Sequence, residues 1–492
     1  MKFIKNISIS FFLFTVGFVF LNTSCQNQLD EIRKQPNAIT EIDDAALFTN
    51  GARSLFLGTT DEGTYRFAAH HAHYLVAGGE ARKPDLYGDG FDTRYEGILN
   101  VIYSGVIKHI EDVLQITSTG ATQNETRYAI ADIISVMGFA KLTDAFGEIP
   151  YTEGGKGKTE GVLLPKYDTQ AFIYADLIDR LTASIAVLKT ADPANGYGVS
   201  DFIFENDLSK WVRFANSVRL RLAMRIRYAD ENLSRATVAL CLNDPLMEDP
   251  SHDASMIETE GFGNNWYSLK TGWPGIKVSE MMVNQLTSTN DPRLTTFVAK
   301  DVAGGYSGQL NGLNDEEFGD SFWDDRSNMG DAISSEDSEH YIMTATETWF
   351  LRAEAALAYD NNQALANTNF RNGISTSFNQ WNVPQIEADA FMATPTATLS
   401  GSTNQQEEQI GMQLWIAITP DYFESWANIR RSGHPFIAQR TDPALDPGVT
   451  NGYVPSRFKY SSFDLSTNGA NTNEAIDRQG SNDIFTKIWW NQ

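Results

Sequence analysis

The chain is poor in cysteine and poor in positive charge, and both shortages narrow what it can be. Only 2 cysteines occur in 492 residues, Cys25 and Cys241. If Cys25 carries a modification, Cys241 has no partner and no disulfide framework exists. No zinc-type cysteine spacing occurs either. Against 63 Asp and Glu stand only 38 Lys and Arg, a net charge of −25. That balance argues against nucleic acid and against electrostatic docking on anionic lipid, and suits neutral or cationic ligands. Hydrolase signatures of the G-x-S-x-G and H-E-x-x-H kinds are missing as well. Acidic pairs such as Glu317 with Asp324 are easy to name for a glycoside hydrolase, but with 63 acids to choose from they single out nothing.

What is present begins at the N-terminus. Lys2 and Lys5 precede a nearly continuous apolar run from Ile7 to Leu21. This is the layout of a secretory signal, and it falls short of the roughly 20 apolar residues of a membrane span. Thr23 and Ser24 supply the small side chains a signal peptidase needs before Cys25. The stretch resembles the lipobox of bacterial lipoproteins, with one departure: the aliphatic residue three before the cysteine is replaced by Asn22, and the leucine stands one earlier, at Leu21. The expectation is a signal peptide over residues 1–24, lipid attachment at Cys25, and a mature domain over 25–492. Cys241, in "RATVALCLNDP", reads as a buried small hydrophobe.

Helical periodicity dominates the rest. In 206–230, Leu208, Trp211, Ala215, Val218, Leu222 and Ile226 recur every three to four residues, as on one face of a helix. Arginines 213, 219, 221, 225 and 227 crowd the remaining surface, and in so acidic a chain they are expected to pair with carboxylates of neighbouring helices. Segments 95–114, 125–146, 171–188 and 343–360 repeat the pattern. No strict period near 34 residues survives, so any helical repeats are degenerate. Between 245 and 340, and again over 380–411, the chain turns rich in Gly, Asn, Ser and Asp with interleaved aromatics, which reads as long irregular excursions.

"LTDAFGEIPYTEG" (142–154), "WVRFANSVRLRLAMRI" (211–226), "TETWFLRAEAAL" (346–357) and the ending "FTKIWWNQ" (485–492) follow the lipobox and "QLDE" in that order. Together they resemble the RagB/SusD family, in its SusD-like branch, over essentially the whole mature chain. The resemblance implies a mostly α single domain: a tetratricopeptide-like scaffold of four helix pairs with irregular loop-rich segments packed on it. It further implies an outer-membrane lipoprotein facing outward, a lid on a SusC-like TonB-dependent transporter, and capture of an oligo- or polysaccharide without catalysis. A structural lid that binds no glycan, a peptide receptor and a secreted glycoside hydrolase are the alternatives.

Sugar recognition needs aromatic platforms flanked by polar side chains. Aromatics make up 12% of the chain, with 10 Trp and 18 Tyr. The loop regions offer Trp273 and Trp323 as leading candidates, then Trp266, Tyr267, Tyr306 and Phe318, with Asn264, Asn265, Asp324 and Arg326 beside them. Tyr87, Phe91 and Tyr95 form a further group, where the resemblance places part of an aromatic arc. The competing role for each ring is to pin its own loop to the scaffold, and the Trp489–Trp490 pair is expected to be structural. His70 and His73 lack a third metal ligand and read as surface or capping residues. The acidic 311–325 loop is rich in oxygen ligands suited to calcium but lacks an ordered calcium-loop pattern, so no cofactor is assigned.

Overall fold

A computed structural model describes residues 43–58, 63–90, 92–257, 264–272 and 275–491. The expected signal segment and Cys25 lie outside these residues, and so do Phe91 and Trp273.

The helices form where the periodicity places them. We label α1 (Asp44–Leu57), α2 (Asp92–Asn100), α3 (Lys108–Ser118), α4 (Glu125–Phe146), α5 (Gln170–Leu188), α6 (Leu208–Arg225), α7 (Glu231–Leu242), α8 (Ala345–Asp360), α9 (Gln363–Gln380), α10 (Thr403–Ala417) and α11 (Tyr422–Ser432). Their ends carry ordinary cap chemistry. The Asn124 side chain accepts the Arg127 N–H at 3.0 Å to start α4, and Gly147, at φ 83°, ends it by donating to Thr143 O at 2.8 Å. One interruption went unread: α2 and α3 are joined by a π-helical turn, Val101–Ile107, within the expected 95–114 helix.

Within the described residues the helices pack pairwise, α1 with α3, α4 with α5, α6 with α7 and α8 with α9. Contacts of α5 with α6 and of α6 with α8 join the pairs, and Asp44–Gln492 is one compact unit. This is the mostly helical fold expected of the family. A main core runs through α1–α7 and α11, and a second cluster (Phe350, Phe370, Phe378, Phe391, Ile410) lies between α8, α9 and α10. Each such ring buried from water contributes about 1.5–3 kcal/mol.

Two expectations need correction. The α6 arginines do not coat a surface. Arg219, Arg221 and Arg225 are buried. Arg221 bonds Glu347 at 2.6 Å, and Arg225 pairs with Glu424 and lies 3.4 Å from Asp144. Arg227 reaches Glu354 at 2.9 Å and Glu407 at 2.7 Å. The carboxylates come from neighbouring helices, as read; the burial follows because α6 is covered on several sides at once. Segment 380–411 is not irregular either. It holds the helix Gln385–Met392 and the start of α10, whose Ser402–Gln405 capping box lies inside the "SGSTNQQ" run. Ala388, Phe391 and Ala397 anchor it to the second core.

Cys241 is buried, and burial pushes its thiol up to about 11, so it stays protonated. Trp490 is buried too and donates to Asp144 at 2.9 Å, a packing role.

Candidate functional site

Two short strands open the loop-bearing face. β1 (Leu75–Ala77) pairs antiparallel with β3 (Ile276–Val278), in register Leu75↔Val278. A second pair, β2 (Ala254–Met256) with β4 (His340–Met343), borders the same excursion. From this frame three stretches, 82–87, 307–327 and 440–452, are clamped together by polar bonds.

Asp85 is the hub. Its carboxylate accepts from Asn311 Nδ2 and from the Gly312 amide, each at 2.7 Å. Its carbonyl accepts from Arg440 Nη1 at 2.5 Å. The Arg440 guanidinium sits 3.6 Å over the Tyr87 ring, and the Val449 amide donates to Tyr87 O at 3.1 Å. Gly312 is at φ 77° and a Cβ there would strike Arg440 at 2.4 Å, so glycine is required by both conformation and space.

On this frame the 314–327 loop displays aromatic rings. Phe318 and Trp323 pack with ring centroids 5.3 Å apart. Arg82 lies 4.2 Å from the other ring centre, that of Phe318, and pairs with Asp315. Lys277, from β3, donates to Arg326 O at 2.9 Å and reaches Asp324 O at 3.4 Å, fixing the turn Trp323–Asp325 from below. Burial pulls the Lys277 ammonium below its usual value, with Asp324 and Asp325 opposing. Arg326 turns inward and donates from Nε to Ser321 O at 3.1 Å.

Phe322 was missed in the sequence. It is 74% exposed and sits at φ 53°, ψ 44°. A bulky residue in the left-handed region is a genuine outlier that costs about 1–3 kcal/mol. Its ring is spent on solvent, next to the half-buried Trp323. The Phe-Trp pair inside a Gly/Asp/Ser loop was the available signal, but which ring faces out depends on the backbone angle. Tyr453 and Phe436, exposed on either side of the third stretch, were also missed.

The other candidates divide. Trp266 is 1% exposed and packs edge-on against Tyr422 at 5.1 Å, so it anchors its helix instead of offering a face. The cap that starts this helix is Asn264, buried, whose side chain accepts from the Trp266 amide at 2.8 Å. Asn265 and Tyr267 are exposed on the same short helix. Tyr87 and Tyr95 are fully buried and are likewise corrected to packing residues. Burial raises the Tyr87 hydroxyl to about 12, with Arg440 opposing. Tyr306 is half-buried against the core, and Asp324 is exposed.

The histidines are not on the surface. His70 and His71 are buried, while His73 adopts φ 57° and places Nε2 3.1 Å from the Tyr87 hydroxyl. Burial lowers His73 to about 3, helped by Arg440 and His70, which leaves it neutral. Among the described residues no His, Cys, Asp and Glu cluster is able to hold a metal.

The face is therefore a polar frame carrying the exposed Phe322 and the half-buried Trp323, with Glu316, Glu317, Asp324 and Asp325 exposed around them. Flat rings among acceptors suit the C–H faces and hydroxyls of a neutral polyol.

Comparisons with known proteins bear on this arrangement. A SusD-like family model, described as "Starch-binding associating with outer membrane", matches residues 36–461. No curated protein sequence matches the chain. Among solved structures, a chitin-binding SusD homologue from Flavobacterium johnsoniae superposes with a TM-score of 0.80 at 22% identity, covering 90% of this chain and 98% of that one. A SusD homologue from Bacteroides uniformis gives 0.78 at 24%, over 91% and 99%. A SusD-like protein from Bacteroides thetaiotaomicron gives 0.75 at 22%, over 90% and 98%. At these identities the superpositions speak to the fold.

Proposed function

The chain belongs to the SusD-like family, and from that premise we propose that it is a cell-surface glycan-binding lipoprotein, held by lipid at Cys25 and acting as the lid of a SusC-like TonB-dependent transporter. The glycan is captured on the 314–327 loop face and handed to the barrel uncleaved. The observation that carries this reading is Phe322, held exposed in a left-handed backbone beside Trp323. A protein keeps a strained, solvent-facing ring where the ring has work to do. Phe322 and Trp323 stack on the sugar, and the exposed carboxylates accept its hydroxyls. Asn265 and Tyr267 extend the surface, and Trp273 stays a candidate beside them.

The family description and the chitin-binding neighbour support a glycan as the cargo. No helix of the described residues is long and apolar enough to cross a membrane. A lipid at Cys25 would supply the attachment, because two or more acyl chains anchor stably where one does not.

Titration calorimetry of the mature protein against starch, chitin, plant and host glycans tests the proposal. Heat with one glycan class, reduced about tenfold or more in Trp323→Ala and in Phe322→Ala with no product released, is expected. Silence across the panel would remove glycan capture and leave a structural lid or a peptide receptor. Release of shortened glycan would make the protein a hydrolase.

A further inference from the structure

Far from the loops in sequence, α3, α4, α5 and the 151–160 turn enclose a cleft of about 870 Å³. That is within the range of about 300–1,000 Å³ typical of small-molecule sites.

The lining is built and charged unevenly. Arg180 is fully engaged: Nε donates to Asp132 at 3.0 Å, Nη1 to the Tyr151 hydroxyl at 2.9 Å and Nη2 to Ser135 at 2.9 Å. Tyr151 in turn donates to Asp176, and its ring packs edge-on against Phe139 at 4.8 Å. Lys156 pairs with Glu160 at 3.2 Å. Both cations of the cleft are thus neutralised within it. The Glu111 carboxylate, half-buried in the wall, has no direct side-chain hydrogen bond or ion pair among the described residues, although Arg180 and Lys156 are near enough to act on it. Burial raises its carboxyl above the usual value, with Arg180 and Lys156 opposing. Tyr128 presents an exposed ring at the rim.

A flat ring, a hydroxyl–carboxylate–guanidinium chain and a carboxylate without a direct ion pair are the parts that bind a sugar bearing a positive charge. We propose that this cleft is a second carbohydrate site, distinct from the loop face, that takes a short oligosaccharide carrying free amines: Tyr128 stacks on a sugar ring, Asp176 accepts its hydroxyls, and Glu111 receives its ammonium. The site stands whether or not the loop face binds glycan.

The test uses the mature protein carrying Trp323→Ala and Phe322→Ala, so that the loop face is disabled. Calorimetry compares a glucosamine trimer, the N-acetylglucosamine trimer and a trilysine peptide, at a pH where the amines are charged. The glucosamine trimer is expected to bind at least about tenfold more tightly than either competitor, and Glu111→Gln and Tyr128→Ala are each expected to weaken it about tenfold. Glu111→Gln keeps size and shape, and an unchanged melting curve confirms the fold. Three results would overturn the proposal: no heat with the glucosamine trimer, equal affinity for the acetylated trimer or the peptide, or binding that both substitutions leave intact. Failure here with glycan binding retained by the unsubstituted protein would discard the cleft alone.

Discussion

The scaffold and the loop face draw on the same acidic composition and use it in opposite ways. In the scaffold, Glu347, Glu354, Glu424 and Asp144 are buried and each is met by an arginine of α6 or α11 or by its flanking Arg227. On the loop face, Glu316, Glu317, Asp324 and Asp325 stand in solvent. The aromatics divide likewise: Trp211, Trp415 and Trp426 are sealed, while Phe322 is turned out at a conformational cost. Buried charge specifies how helices meet, and exposed charge with exposed rings remains available to a ligand. The scaffold is a solved packing problem, and the loop face is a surface left unfinished.

The largest effect should come from breaking the buried network. Arg225→Leu removes the cation that Glu424 and Asp144 share, leaving Glu424 only the longer contact to Arg221 at 3.7 Å, and should cost about 3–5 kcal/mol, read from urea denaturation. A loss below about 1 kcal/mol would mean that the network is not what holds α6 to α4 and α11.

Next comes Asp421, whose side chain caps α11 by accepting the Glu424 amide at 3.2 Å. Burial raises its carboxyl to about 7, with Arg221 opposing. The folded state therefore holds a proton that the unfolded chain releases near its ordinary value of 3.8, and stability falls as pH rises from about 4 to 7. Asp421→Asn keeps the cap without the charge, so it should gain about 2–4 kcal/mol over the parent at pH 8 and little at pH 4. Glu354 has the opposite sign. Burial would raise it, but Arg431 and Arg227 hold it at about 2. Its contribution is complete above the ordinary carboxylate value and is lost as pH falls toward 2. Melting curves across pH for the parent and for Asp421→Asn separate the two terms.

On the loop face, Trp323→Ala should weaken glycan binding by about 10–100-fold, while costing far less stability than Arg225→Leu. An equal loss of stability would erase the distinction between the regions. The smallest effect is expected for Phe322→Gly. Glycine relieves the left-handed strain, so the melting free energy should rise by about 1 kcal/mol while binding falls. A gain in both would show that the ring is idle.

Much of the scaffold was legible. The 125–146 and 171–188 patterns correspond to α4 and α5 within a residue, because apolar spacing reports the buried stripe directly. The order of motifs was enough for the family. Less of the site could be read. Trp266, Trp323, Tyr87 and Tyr95 look alike as letters, yet only Trp323 keeps part of its ring in solvent. Each lies in a Gly-rich polar stretch, and what separates them is whether a distant partner, such as Tyr422 or Arg440, covers the ring. The run at 380–411 misled for a related reason: its polar letters conceal a few apolar positions that suffice once α8 and α9 provide a surface.

The sequence by itself determined the periodic helices of the scaffold, the surplus of negative charge and the membership of a family, since these rest on local periodicity, composition and the order of motifs. The tertiary structure alone decided that the α6 arginines lie inside, that Asp85 ties three remote stretches together and that Phe322 faces water. Those outcomes depend on contacts between residues up to hundreds of positions apart, and on a backbone angle that no residue type dictates.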